Sequence, residues 1–138
     1  MATKQKVVHH WQLEVFQLAR QLSQRFFRAS KSFPLEERYS LTDQGRRASR
    51  AVSAIIAEAW RRRKYEAAFV NKLNEAEGEA AETQVWVMHA VDCEYLTESE
   101  GRELHRPATA SLASSSTWAT GLSRGCCARP QRRQNDAH

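Results

Sequence analysis

Proline and glycine are scarce in this chain: of 138 residues, five are Gly and three are Pro, and two of the prolines, Pro107 and Pro130, lie near its end. That scarcity excludes a collagenous or low-complexity composition over most of the length. No apolar stretch approaches the roughly 18 residues of a membrane span. Residues 1–10 carry Lys4 and Lys6 but no uninterrupted apolar segment of the kind that directs secretion. No membrane partner and a cytoplasmic location are therefore expected. Cysteine is nearly absent too. Cys93, Cys126 and Cys127 fit no metal-ligand or disulfide spacing, and adjacent cysteines rarely bridge each other without strain. They read as reduced thiols, with Cys93, near the end of an amphipathic segment, expected to be a small buried hydrophobe.

Residue arrangements that carry chemistry are also missing. There is no Gly-rich phosphate loop, and no Ser-His-Asp or Cys-His spacing. His9, His10, His89, His105 and His138 have no ligand-spaced neighbours. The Glu-x-x-His pattern that builds metal sites in some bundles fails at His89, because Trp86 stands three positions before it. Glu75 with Glu79, and Glu79 with Glu82, lie on adjacent helical turns and read as solvated or salt-bridged surface ahead of an acid–base pair. The expectation is a protein that is not an enzyme, with no cofactor and no metal.

What the chain does have is helical periodicity. Between about His10 and Lys31, Trp11, Val15, Leu18, Ala19, Leu22 and Phe26 recur every three or four residues, which places them on one helical face. Leu13, Phe16 and Phe27 lie off that stripe and imply a second contact surface. Ser32-Phe33-Pro34 ends this helix and reverses the chain. Ser40-Leu41-Thr42-Asp43 has the spacing of a capping box, and Leu41, Ala48, Val52, Ile55, Ile56 and Ala59 continue a stripe to about Arg63. Gly45 inside this second helix is expected to weaken it by about 1 kcal/mol relative to alanine.

A third, acidic helix is expected from Tyr65 or Glu66 to about Asp92, with Phe69, Leu73, Ala76, Ala80, Thr83, Val87 and Ala90 facing the core. Ala76, Gly78, Ala80 and Ala81 would let a neighbour approach closely. Thr97-Glu98-Ser99-Glu100 is a further capping box, opening a fourth helix that Pro107 must break. The expected fold is therefore all-α, an antiparallel up-and-down four-helix bundle over residues 1–105, its fourth helix truncated after Pro107. Residues 106–138 form a basic tail without period, read as a disordered segment or an out-of-frame end.

Charge is unevenly spread. Residues 1–32 carry a net +5, 33–64 a net +4, 65–105 a net −8 and 106–138 a net +4. An acidic helix between basic ones can satisfy its neighbours inside the bundle or between subunits. Arg46, Arg47 and Arg50 lie close together on the second helix, and Arg61, Arg62, Arg63 and Lys64 form a block at its C-terminal end. As a functional surface they would bind phosphates without regard to sequence, with strong salt dependence. As structural groups, Arg46 and Arg47 would pair with Glu58, Glu79 or Glu82, and the block would be a solvated helix end favoured by the helix dipole.

Four words in the sequence resemble one family. They are Phe33-Pro34-Leu35-Glu36-Glu37-Arg38-Tyr39, Arg46-Arg47-Ala48, Ile56-Ala57-Glu58-Ala59-Trp60-Arg61, and Ala81-Glu82-Thr83-Gln84 followed by Trp86. Together they are similar to the four-helix-bundle proteins related to the 23S rRNA intervening-sequence proteins, over about residues 11–105. Gly45 departs from the pattern, since the family has a larger apolar residue there, and Arg50, Ile55 and the residues after His105 depart as well. The resemblance implies a bundle that assembles as a homo-oligomer, a pentameric ring. A similar bundle serves as an accessory factor of diversity-generating retroelements, where a basic ring contacts nucleic acid and a reverse transcriptase. The expected function is thus a non-enzymatic, oligomeric bundle that associates with RNA or DNA. A protein scaffold whose apolar groove takes a partner helix, and a degenerate reading frame without activity, are the alternatives.

Overall fold

The computed structural model describes residues 6–106, whose regular elements are all helices and helical turns, with no strand among them. Its long elements are α1 (Glu14–Ser30), α2 (Asp43–Arg61) and α3 (Glu66–Asp92). Residues 98–106 are also helical and are called α4. Pro107 and the remainder of the basic tail lie outside the described residues.

Packing gives the direction of each helix. Leu13, Val15 and Ala19 from the start of α1 share a cluster with Val52, Ile56 and Trp60 from the end of α2, and with Ala76 and Ala80 from the middle of α3. Phe26 from the end of α1 packs instead with Leu41, which precedes α2, and with Val87 and Ala90 near the end of α3. The first three helices therefore run up, down and up. At 1.5 Å per residue α3 is about 40 Å long against roughly 25 Å for α1, so the tip shared by α2 and α3 extends past α1. There Ala59, Phe69 and Leu73 form a cluster of their own.

The seven buried residues of α3 are Phe69, Leu73, Ala76, Ala80, Thr83, Val87 and Ala90, the set its periodicity predicts. Only half of its small residues serve close packing, because Ala76 and Ala80 are buried whereas Gly78 and Ala81 are exposed. On α4 the predicted capping box forms: Glu100 N–H donates to Thr97 Oγ1 at 3.1 Å, and Thr97 N–H donates to Glu100 Oε2 at 2.8 Å. Gly101 on its inner face lets Val91 approach to 2.7 Å of where a Cβ would stand.

Four expectations are corrected. Trp11 is 49% exposed while Leu13 is 5% exposed, the reverse of the predicted stripe. A 3-10 turn at His10–Gln12 and an extended Leu13 break the helical period before α1 begins, so the rotation carried back from Val15 no longer applies. The box at Ser40–Asp43 is not made. The chain is already helical from Leu35, through a 3-10 turn at Leu35–Glu37 and a π turn at Arg38–Thr42, so Asp43 N–H finds the Arg38 carbonyl. The Ser40 hydroxyl, left with no orphan amide to accept from, donates to Glu37 Oε2 at 2.7 Å.

Cys93 is exposed, because α3 ends one residue earlier and the chain turns away there. Gly45 is not merely a weak point, since it is buried and its missing Cβ leaves the space filled by the Phe26 ring.

The N-terminal segment closes the open end of the first cluster. Trp60 Nε1 donates to the Val8 carbonyl at 3.1 Å, and Val7 packs on the same core. Burying an indole with its N–H satisfied keeps the apolar gain without the cost of an unmet donor.

Candidate nucleic-acid interface

The basic residues on α2 separate into two places. Arg46 and Arg61 are 15 residues apart on one helix, which is roughly 22 Å along its axis. They do not form one site.

At the start of α2 the arginines are engaged with the bundle. Arg46 Nε donates to Ser30 Oγ at 2.8 Å, and its guanidinium lies 4.7 Å from the Phe27 ring centre. Arg50 lies over the same ring at 5.5 Å. Arg47 pairs with Glu82 of α3 at 3.0 Å, and Trp86 Nε1 donates to the same carboxylate oxygen at 3.1 Å. The structural reading holds for Arg47, with Glu82 as its partner. Arg46 makes no ion pair among the described residues and is held by a hydroxyl and an aromatic face.

At the far end, Arg61, Arg62, Arg63 and Lys64 are all exposed. Arg63 is fixed to the helix end: its guanidinium stacks on Trp60 at 4.1 Å and its Nη1 donates to the Trp60 carbonyl at 2.8 Å. A cation at that point satisfies a terminal carbonyl and complements the dipole. Arg61, Arg62 and Lys64 have no ion pair among the described residues. Tyr65, one residue on, is 72% exposed, and its N–H closes the turn onto the Arg62 carbonyl at 3.0 Å. Three unpaired cations and an aromatic ring thus crowd one solvent-facing tip.

The acidic helix is partly neutralised nearby. Lys72 of α3 pairs with Glu58 of α2 at 3.1 Å and with Glu75 at 3.0 Å. Its hydrogen bonds to Glu75 and then Glu58 hold its ammonium above the ordinary lysine value. Among the described residues no group of three or more His, Cys, Asp or Glu is arranged to hold a metal ion. No helix there is long and apolar enough to cross a membrane.

Sequence reading missed two participants, Phe27 as a shared platform for cations and Tyr65 beside the basic block. The signal for the first was present: Phe27 lies off the core stripe and has Lys31 four positions on, within reach of its ring at 5.0 Å. The apolar groove expected where the fourth helix is lost after Pro107 lies outside the described residues. Between α1 and α4 there is a cleft of about 460 Å³ with a mixed lining, in which Arg25, Arg28, Glu100 and Glu103 accompany Leu96 and Leu104.

A solved structure of a protein of unknown function from the S23 ribosomal protein family of Bacteroides thetaiotaomicron VPI-5482 superposes with a TM-score of 0.68 at 24% identity, covering 76% of this chain and 97% of that one. That likeness supports the fold alone. Among curated proteins no match was found. The family model described as 23S rRNA-intervening sequence protein matches residues 11–113, which takes in all four helices and continues past Pro107. The chain belongs to the 23S rRNA-intervening sequence protein family.

Proposed function

We propose that this protein is a non-enzymatic, cytoplasmic bundle that assembles with copies of itself and associates with RNA or DNA through the tip of α2, independently of sequence. The observation that supports it is the exposed group Arg61, Arg62 and Lys64, unpaired among the described residues and adjacent to the exposed ring of Tyr65. Cations that follow a phosphate backbone, with an aromatic face for an unstacked base, are the elements of sequence-tolerant single-strand binding. Repetition of such a tip around a ring of subunits, as the resemblance implies, would multiply a weak contact. Val85 and Met88, one turn apart on α3 and 48% and 55% exposed, offer apolar surface for a neighbouring subunit.

The test is binding of unrelated single-stranded RNA and DNA oligonucleotides across a salt series. Affinity is expected to fall steeply with salt, by about 0.7 log unit per log unit of salt for each phosphate neutralised on a single strand. Changing Arg61, Arg62 and Lys64 to alanine is expected to flatten that slope and weaken all sequences alike. Arg63 is left intact because it holds the end of α2. Absence of binding at low salt overturns the proposal.

A scaffold that receives a partner helix is the second reading, favoured by the 460 Å³ cleft beside α4. It predicts salt-insensitive association that is lost when Ala29, half-buried on the α1 wall of that cleft, is replaced by the bulkier and polar Gln.

A further inference from the structure

Cations gather at the junction of α1 and α2 without matching acids. Lys31, Arg46 and Arg50 all lie within 5.5 Å of the centre of the half-buried Phe27 ring. None of them, nor Arg38 on the turn before α2, forms an ion pair among the described residues. Lys31, Arg38 and Arg46 also line a cleft of about 280 Å³ together with Ser30, Thr42 and one acid, Asp43.

We propose that this cleft binds a phosphate group. Like charges held together repel, and that repulsion is relieved when an anion sits among them. Three cations against Asp43 leave an excess of two positive charges, which matches the −1.5 to −2 or so of a phosphate monoester near neutral pH. A single carboxylate ligand would leave half of that excess unmet.

One donor is set in place beforehand. The Ser30 hydroxyl donates to the Phe27 carbonyl at 2.9 Å and accepts from Arg46 Nε at 2.8 Å, so the guanidinium is fixed through Nε. Its terminal nitrogens have no acceptor among the described residues. A planar guanidinium oriented in this way can present two parallel N–H groups to phosphate oxygens.

The site does not rest on the nucleic-acid reading, since the tip at Arg61 is some 20 Å further along α2. The phosphate could be free inorganic phosphate or the 5′ end of an RNA. The full chain is melted in sodium phosphate and in sodium chloride of equal ionic strength, and the phosphate dissociation constant is taken from the dependence of the melting temperature on concentration. Phosphate is expected to raise the melting temperature beyond chloride. The Lys31→Gln/Arg38→Gln double variant is expected to bind at least about tenfold more weakly, since charge-assisted bonds are lost. Both side chains are exposed and two mutually repelling charges are removed, so the variant's melting temperature in chloride is expected to be no lower than the parent's. Arg46→Gln is a further variant, with its folded state checked by circular dichroism.

Once phosphate binding is established, RNA oligonucleotides with a 5′-phosphate and a 5′-hydroxyl are compared. Tighter binding of the phosphorylated form that disappears in the double variant identifies an RNA end as the source, and equal binding identifies free phosphate. A melting temperature no higher in phosphate than in chloride overturns the proposal, and so does equal phosphate affinity in parent and double variant. If RNA binding fails while phosphate binding persists, the nucleic-acid reading falls and this site stands.

Discussion

The ring of Phe26 occupies the space in which a side chain at Gly45 would begin. A Cβ built on Gly45 overlaps the Cζ, Cε1 and Cε2 atoms of that ring, and Phe26 is fully buried among Phe33, Leu41, Val87 and Leu104. The ring cannot withdraw without disturbing those neighbours. Gly45→Ala should gain about 1 kcal/mol of helix propensity but lose about 1–3 kcal/mol to overpacking. The expected result is net destabilisation of up to about 2 kcal/mol in urea unfolding. In a Phe26→Leu background the penalty should shrink, because the two positions share one space. An equally destabilising Gly45→Ala in both backgrounds would show that the ring is not the cause.

Gly78 is the counter-case on α3. It is exposed, and a Cβ there meets nothing within 4 Å. Gly78→Ala should therefore stabilise by about 0.5–1 kcal/mol through lost freedom of the unfolded chain and better propensity. The urea midpoint should rise with an unchanged slope. A fall would mean that another chain, such as a second copy, occupies this face.

Those two glycines also show where sequence reading stops. Periodicity gave every buried residue of α3, because one uninterrupted helix carries a single rotation along its whole length. It misplaced Trp11 and Leu13 because the rotation is reset at Leu13, which has an extended backbone. Gly45 and Gly78 look alike as sequence, and only the position of Phe26, 19 residues away, tells them apart. The candidate site was legible as composition: all seven basic residues were visible. Which of them remain unpaired depended on Glu82, Phe27 and Ser30, contacts set by how helices face one another and not by spacing along one helix.

Glu94 carries the backbone strain at the end of α3. Its φ of 61° is the only positive value at a non-glycine among the described residues. It sits in a Schellman motif, with Glu94 N–H donating to the Val91 carbonyl at 2.9 Å and Tyr95 N–H to the Ala90 carbonyl at 2.9 Å. A side chain in the left-handed region costs about 1–2 kcal/mol, part of which glycine returns as unfolded-state entropy. Glu94→Gly should stabilise by up to about 1 kcal/mol in thermal or urea unfolding. A loss of stability would mean that the Glu94 side chain makes a compensating contact.

Tyr95 ties the fourth-helix connection to the Phe-Pro turn, and that tie should depend on pH. Its hydroxyl donates to Glu37 Oε1 at 3.2 Å, while Ser40 donates to the other oxygen of the same carboxylate. Burial first, and then the hydrogen bond and charge of Glu37, hold the phenol above its ordinary value of about 10. Above pH 10 or so the unfolded chain has lost this proton and the folded chain retains it, so stability falls as pH rises through that range. Below it the contribution is fully present. Lys72, held above the ordinary lysine value, adds a loss of the same sign in an overlapping range, so the parent alone cannot isolate the tyrosine. The difference in unfolding free energy between the parent and Tyr95→Phe does isolate it. That difference should be constant near pH 8 and change in favour of the phenylalanine variant as pH rises past about 10. A difference that stays flat through pH 11 would show that the phenol ionises as readily in the folded chain as in the unfolded one, and that Glu37 does not hold its proton.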